Sequence, residues 1–143
     1  MAELDDVYNT KILELAGNIP RSDRLASPTA TASAQSKLCG STISVDVVVE
    51  DGKITNFGQT VKACLLGQAA ASVVGREIVG STTAEFHEVA NTMRDMLKTG
   101  GPPPLGKWRD LALLAPVRDY RSRHASTLLV FDAVEKALAD ASS

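Results

Sequence analysis

Cysteine, basic charge and long apolar runs are all scarce in this sequence, and each scarcity narrows what the protein can be. The chain of 143 residues has a formal net charge of −2 and no basic stripe, which gives nucleic-acid binding no electrostatic support. No apolar run approaches the roughly 20 residues that a membrane-spanning helix needs. The N-terminal MAELDD lacks the features of a secretion signal, so we expect a cytoplasmic protein. In that compartment, two cysteines favour thiol or metal chemistry over a structural disulfide.

Both cysteines, Cys39 and Cys64, lie at the ends of a stretch that predicts a β-hairpin. Residues 44–50 form a valine-rich strand with alternate valines on one face, and the Asp-Gly pair at 51–52 is a hairpin turn signal. Residues 53–61 return as the second strand. Because a hairpin brings its two ends together, we expect the two thiols to be neighbours at one end of a small sheet.

Apolar periodicity predicts the other elements. The expected elements are a helix over 4–15, an edge strand near 29–33, a helix over 65–74 that Gly75 interrupts, a helix that begins after the capping sequence 81–83 and ends at Thr99, a break at 116–118, and a last helix over 122–139. This order predicts one α+β domain over 1–143, with helices on one face of an antiparallel sheet of about three strands.

Cys64 is the stronger candidate for thiol chemistry, because it falls where the second strand gives way to a helix. A helix N-terminus offers unpaired N–H groups and the positive end of the helix dipole, and both favour a thiolate. The dipole contributes only about 0.3–1 kcal/mol, so a small structural cysteine is the competing interpretation. For Cys39, the pair with Gly40 indicates a turn that exposes the sulfur, and reactive and structural roles both stay open.

The remaining polar residues do not define a site by themselves. Two thiolates do not complete a metal site, since zinc usually takes four ligands and iron–sulfur clusters typically take four cysteines. His87 lies beside the apolar stripe of its helix, and His124 lies at the start of the last helix. We interpret Arg118, Arg121 and Arg123 as a solvated basic face, with partner docking as the alternative.

Four stretches together resemble the iron–sulfur cluster assembly scaffold proteins of the U type. YNTKILELAGNIPR (8–21) is similar to the family's N-terminal helix and Asn-Pro-Arg segment, and LCGST (38–42) to its Cys-Gly-Asp motif. VKACLLGQAAAS (61–72) is similar to its second cysteine segment, and PVRDYRSRHASTLLVFDAVEKAL (116–138) to its last helix, which normally opens with a third cysteine. The long interval between the last two stretches resembles the members with an insertion, typified by zinc-binding sulfur acceptors.

The resemblance also implies which residues form the site. Ser41 stands where the family has aspartate, and Ser126 stands where it has the third cysteine. His124, two positions before Ser126, is a possible substitute ligand. The implied metal ligands are therefore Cys39, Ser41, Cys64, His124 and Ser126, and the implied sulfur acceptor is Cys64 or Cys39.

In that family, the cysteines accept sulfur from a cysteine desulfurase, hold iron and sulfide while a cluster is built, and pass the cluster to apo-proteins. The resemblance thus implies a scaffold or carrier that is not an enzyme. It also implies a monomer or weak homo-oligomer. The cofactor would be a transient iron–sulfur cluster or zinc, or there would be no metal. Two other interpretations stay open: a metal-free module that docks on a desulfurase and regulates it, and a persulfide carrier without metal. The missing aspartate and third cysteine favour these two, whereas the two retained cysteines favour the scaffold and the persulfide carrier.

Overall fold

A computed structural model describes residues 9–37 and 40–141. Within these residues the chain forms a three-stranded antiparallel sheet in the order β1-β2-β3, packed against helices. The elements are α1 (Thr10–Gly17), β1 (Ala30–Gln35), β2 (Thr42–Glu50), β3 (Lys53–Lys62), α2 (Leu65–Glu77), α3 (Thr83–Thr99), 3₁₀ segments over Gly106–Asp119 and Arg121–Arg123, and α4 (His124–Ala141). The predicted α+β fold is confirmed.

The predicted hairpin is confirmed by β2, β3 and their turn. Asp51 and Gly52 both have positive φ, 53° and 76°, as a two-residue type I′ turn requires. From this turn the two strands run antiparallel until Thr42 pairs with Lys62 at the far end. That end of the ladder positions the candidate site, because Cys64 follows β3 by two residues.

The core lies between one face of the sheet and the helices. Val45 and Val47 of β2 are fully buried, and α4 packs across β1 and β2. The apolar stripe of α3 is buried throughout: Phe86, Val89, Ala90, Met93, Met96 and Leu97. In α4 the buried residues are Ser126, Thr127, Leu128, Leu129, Val130, Phe131, Ala133, Val134, Ala137 and Leu138. α4 is thus buried over most of its circumference.

A buried carboxylate fixes a loop to the opposite face of the sheet. Asp46 is 1% exposed and accepts two hydrogen bonds from Arg24, from Nε at 2.6 Å and Nη2 at 2.8 Å. The backbone N–H of Leu25 and the hydroxyl of Thr31 also donate to it, at 2.9 and 2.5 Å. The Arg24 hydrogen bond holds the pKa of Asp46 well below its usual range, against the effect of burial, with help from Thr31 and Leu25.

The prediction for the first helix is wrong at its start. Asn9 has an extended backbone with ψ of 172°, and its Oδ1 accepts a hydrogen bond from the Ile12 N–H at 2.9 Å. Asn9 is therefore an N-cap, and α1 begins at Thr10. The expected helical residues 4–8 lie outside the described part of the chain.

The expected interruption at Gly75 is also wrong, because α2 continues to Glu77. A Cβ at Gly75 would lie 2.7 Å from Gln59 Nε2 and 2.9 Å from the Pro20 carbonyl oxygen. Glycine is needed here for close packing inside a helix, and it does not mark the helix end.

The break predicted at 116–118 is wrong as well. The 3₁₀ segment runs through Pro116 to Asp119. Its buried side chains recur at every third residue, as the three-residue turn of this helix type requires: Trp108, Leu111, Leu114 and Val117. Across the described residues, we find no helix with the length and apolar character needed to cross a bilayer.

Candidate functional site

Cys64 occupies the N-cap of α2, as predicted from the hairpin and the helix that follows it. Its backbone is extended, with φ of −67° and ψ of 171°, and its carbonyl accepts the first helical hydrogen bond from Gln68 N at 2.9 Å. Its side chain makes no capping hydrogen bond with the described residues. Cys64 is partly exposed, and its sulfur is left to other contacts beside the unpaired N–H groups of the first helical turn.

The sulfur of Cys64 contacts the hydroxyl of Ser126. The Sγ–Oγ distance is 3.3 Å, and Ser126 is 2% exposed in the first turn of α4. The same hydroxyl donates to the carbonyl oxygen of Arg123 at 3.2 Å. The N-cap of α2 and the first turn of α4 therefore meet at this contact.

Gly67 allows this meeting of the two helices. A Cβ at Gly67 would lie 2.9 Å from the Ser126 carbonyl oxygen and 2.9 Å from the Cβ of Ala63. The sequence indicates close packing by the small residues of α2 against the sheet. At Gly67, however, the close neighbour is α4, and sequence reasoning does not identify Gly67 as a residue of the site.

Backbone hydrogen bonds join the described residues on either side of 38–39. Ser36 N donates to Ser41 O at 2.9 Å, and Gly40 N donates to Ser36 O at 2.9 Å. Ser41, expected as a ligand, is 4% exposed and directly precedes β2. Cys39 itself lies outside the described residues, so its predicted closeness to Cys64 stays a prediction.

His124 uses one ring nitrogen within its own segment. Its Nε2 donates to the carbonyl oxygens of Val117 and Arg118, both at 3.1 Å. His124 lines a cavity between α3 and α4 with Arg94 and Lys98, and neither Cys64 nor Ser126 is among the described residues that line it. The structure therefore joins Cys64 and Ser126 directly and does not show His124 in their contact.

The described residues contain other charged clusters. The carboxylate of Glu135 contacts Arg94 and accepts from His87 at 2.8 Å, which ties α3 to α4. Burial would raise the pKa of Glu135, but the hydrogen bonds from Arg94 and His87 outweigh it and lower this pKa. No group of three or more His, Cys, Asp or Glu side chains within 9–37 and 40–141 is placed to hold a metal ion.

Comparison with known proteins gives close matches over nearly the whole chain. A crystal structure of the N-terminal part of a nitrogen-fixing NifU-like protein from Brucella abortus is 48% identical, with a TM-score of 0.96, and the match covers 97% of this chain and 96% of that one. IscU of Thermotoga maritima, an iron–sulfur cluster assembly scaffold protein, is 24% identical over 132 residues, covering 92% of each chain.

A more distant structure supports the fold alone. The crystal structure of a scaffold protein for the SUF system from Fervidobacterium islandicum AW-1 has a TM-score of 0.86 at 18% identity, over 95% of this chain and 99% of that one. No protein-family model matches the chain. The high identity and full coverage of the NifU-like protein, together with the scaffold IscU, decide the assignment. This chain belongs to the IscU/NifU-like family of iron–sulfur cluster assembly scaffold proteins.

Proposed function

We propose that this protein is an iron–sulfur cluster assembly scaffold or carrier that accepts sulfur at Cys64. Cys39 would join Cys64 in holding iron and sulfide until the cluster passes to an apo-protein. The observation that carries the proposal is the partly exposed Cys64 at the N-cap of α2, in a member of a scaffold family. A cysteine in that position lies beside the unpaired N–H groups of the first turn of the helix.

Family membership supplies the general context of the proposal. Scaffold proteins of this family are not enzymes, which confirms the prediction that this chain is not one. They bind transient iron–sulfur clusters and generally act with cysteine desulfurases and acceptor proteins. We propose the same classes of cargo and partner here. The cytoplasmic location, the single domain over 1–143 and the weak self-association stay predictions.

Sulfur would arrive as a persulfide on a cysteine desulfurase. The Cys64 thiolate attacks the outer sulfur of that persulfide and a new S–S bond forms on Cys64. The S–S bond of the donor breaks, and the donor cysteine leaves as a thiolate. No external oxidant or reductant enters the exchange. The exchange requires that the donor reaches Cys64, which is a partly exposed residue.

The hydroxyls near the site make the proposed cluster site weak. Ser126 lies beside the sulfur, and Ser41 directly precedes β2. A serine hydroxyl is a poor metal ligand unless it is deprotonated, so Cys39 and Cys64 would hold most of the cargo. Weak binding suits a carrier, because a closed four-ligand site would retain its cluster.

A specific contact favours a second candidate, a persulfide carrier without metal. The Ser126 hydroxyl lies 3.3 Å from Cys64 Sγ, where it can donate to an anionic sulfur. The same group adds little to a metal site. This arrangement suits sulfane sulfur at least as well as iron.

Anaerobic reconstitution separates the candidates. The protein is incubated with ferrous iron, a cysteine desulfurase and L-cysteine, re-isolated, and assayed for iron, acid-labile sulfide and Cys64 persulfide, next to Cys39→Ser and Cys64→Ser. The scaffold proposal predicts iron and sulfide in the unaltered protein and their loss in both variants. Persulfide on Cys64 without iron supports the persulfide carrier. Neither product, with desulfurase binding intact, contradicts both and leaves a regulatory module.

A further inference from the structure

We propose that the cavity between α3 and α4 is a docking site for an acidic peptide segment of a partner protein. The cavity has a volume of about 540 Å³, which lies in the range of ligand pockets in proteins, roughly 300–1,000 Å³. Neither Cys64 nor Ser126 is among the described residues that line it, so the proposal goes beyond sulfur and cluster chemistry. It gives a role to Arg121, which belongs to the basic face recognised in the sequence.

The charged side chains that line the cavity are mostly cationic. They are Arg94 and Lys98 of α3, Arg121 of the short 3₁₀ segment before α4, and the carboxylate Asp132 of α4. This excess of positive charge is local, because the whole chain has a formal net charge of −2. A concave surface that carries mainly one sign of charge attracts a partner segment of the opposite sign.

Two of these cations are available to a partner. Arg94 is already paired, because its Nη2 donates to Asp132 at 2.8 Å and also contacts Glu135. Lys98 and Arg121 are exposed, and neither forms an ion pair with a carboxylate in the part of the chain that the structure describes. Because Lys98 and Arg121 belong to two different elements around one cavity, a segment with two carboxylates can pair with both.

Apolar lining and fixed walls favour a peptide over a small inorganic anion. Ala125 and Leu128 line the same cavity, so the aliphatic part of a bound segment has apolar side chains to contact. The bonds of Arg94 to two carboxylates of α4 hold the helices together before a partner binds, which lowers the cost of ordering the site. His124 also lines the cavity, but its Nε2 is bonded to backbone carbonyl oxygens, and the proposal requires no charge on its ring.

The test is an NMR titration of the isotope-labelled full chain with a short peptide of alternating glutamate and alanine. Binding is expected to shift the backbone amide signals of residues 94–98 and 121–128. The dissociation constant should rise at least about threefold between about 50 and about 300 mM sodium chloride, because salt screens exposed charges. In the double variant Lys98→Glu/Arg121→Glu it should rise at least about tenfold. A peptide with glutamine in place of glutamate should not bind.

Lys11→Glu/Lys53→Glu is the matched control, because it makes the same change in net charge at two exposed lysines that do not line this cavity. Its dissociation constant should stay within about twofold of that of the unaltered protein. The neutral pair Lys98→Gln/Arg121→Gln should bind with intermediate affinity, and circular dichroism checks that every variant is folded.

Four results would overturn the proposal. They are no binding of the glutamate peptide, equal binding of the glutamine peptide, an equal loss of affinity in the control variant, and inorganic phosphate that shifts the same amide signals and displaces the peptide. The last result would show a site for a small anion. None of these measurements involves sulfur, so the reconstitution assay tests the proposed function separately.

Discussion

The residues at the site differ in how far sequence alone could place them. Cys64 at a helix N-terminus follows from the hairpin pattern and the apolar helix after it, and the structure has it there. The resemblance aligned Ser126 with a ligand position, and the structure brings its hydroxyl to the sulfur. The bonds from His124 Nε2 to two carbonyl oxygens could not be predicted, because they depend on a 3₁₀ segment with no clear sequence signal.

Asp46 offers a test of stability at the scale of one residue. Asp46→Asn is expected to lower the free energy of unfolding at pH 7 by about 2–3 kcal/mol, since it breaks a buried carboxylate's bonds to Arg24. Arg24 is 45% exposed and can turn to water, which limits the loss. Urea unfolding measures the difference.

The same carboxylate gives the protein a pH dependence. Its pKa is lowered in the folded state, chiefly by the Arg24 hydrogen bond, so its contribution is present above the unfolded pKa of about 3.9 and lost as pH falls below it. The difference in the free energy of unfolding between Asp46→Asn and the unaltered protein should therefore become smaller from pH 5 to pH 2. Asp110→Asn is the control, because its bond to Arg76 is exposed and worth under about 1 kcal/mol. A difference in the free energy of unfolding that is constant over this range would contradict the lowered pKa of Asp46.

The crossing of α2 and α4 is the element on which the site depends. Gly67→Ala places a Cβ within 2.9 Å of the Ser126 carbonyl oxygen, so the helices must separate. We expect a loss of about 1–3 kcal/mol in the free energy of unfolding, because the close packing of the two helices must open. Chemical unfolding measures the difference.

Gly17→Ala is the matched control for that variant. Gly17 is the last residue of α1, and a Cβ there would meet nothing within 4 Å. Alanine should leave stability unchanged or raise it by up to about 1 kcal/mol. If Gly67→Ala is as stable as Gly17→Ala, the close crossing of α2 and α4 is contradicted.

At this scale, periodic elements were predictable and irregular ones were not. The valine alternation in β2, the Asp-Gly turn and the α3 stripe follow rules that the sequence displays directly. The segment over Gly106–Asp119 has a buried apolar residue at every third position, which does not match the period of an α-helix. Its Pro116 also indicates a break, so sequence alone does not predict a continuous segment. Sequence alone also predicts a helix end at Gly75. The neighbours that require glycine there come from distant parts of the chain, so the local pattern does not show them.

For the whole molecule, the order of elements was enough to predict the α+β architecture. Antiparallel pairing places the start of β2 and the end of β3 at the same end of the sheet. The N-cap of α2 meets the first turn of α4 there. What the order of elements leaves undetermined is the packing distance between α2 and α4. That distance decides whether the hydroxyl of Ser126 reaches the sulfur of Cys64.

Sulfur acceptance at Cys64 is tested most directly by the mass of its peptide. The protein is incubated with L-cysteine and a cysteine desulfurase whose activity is verified by sulfide release, then digested under conditions that preserve persulfides. The account predicts one added sulfur atom on the Cys64 peptide and none at this position in a folded Cys64→Ser variant. An unmodified Cys64 peptide under these conditions, or sulfur found on Cys39 alone, would contradict it.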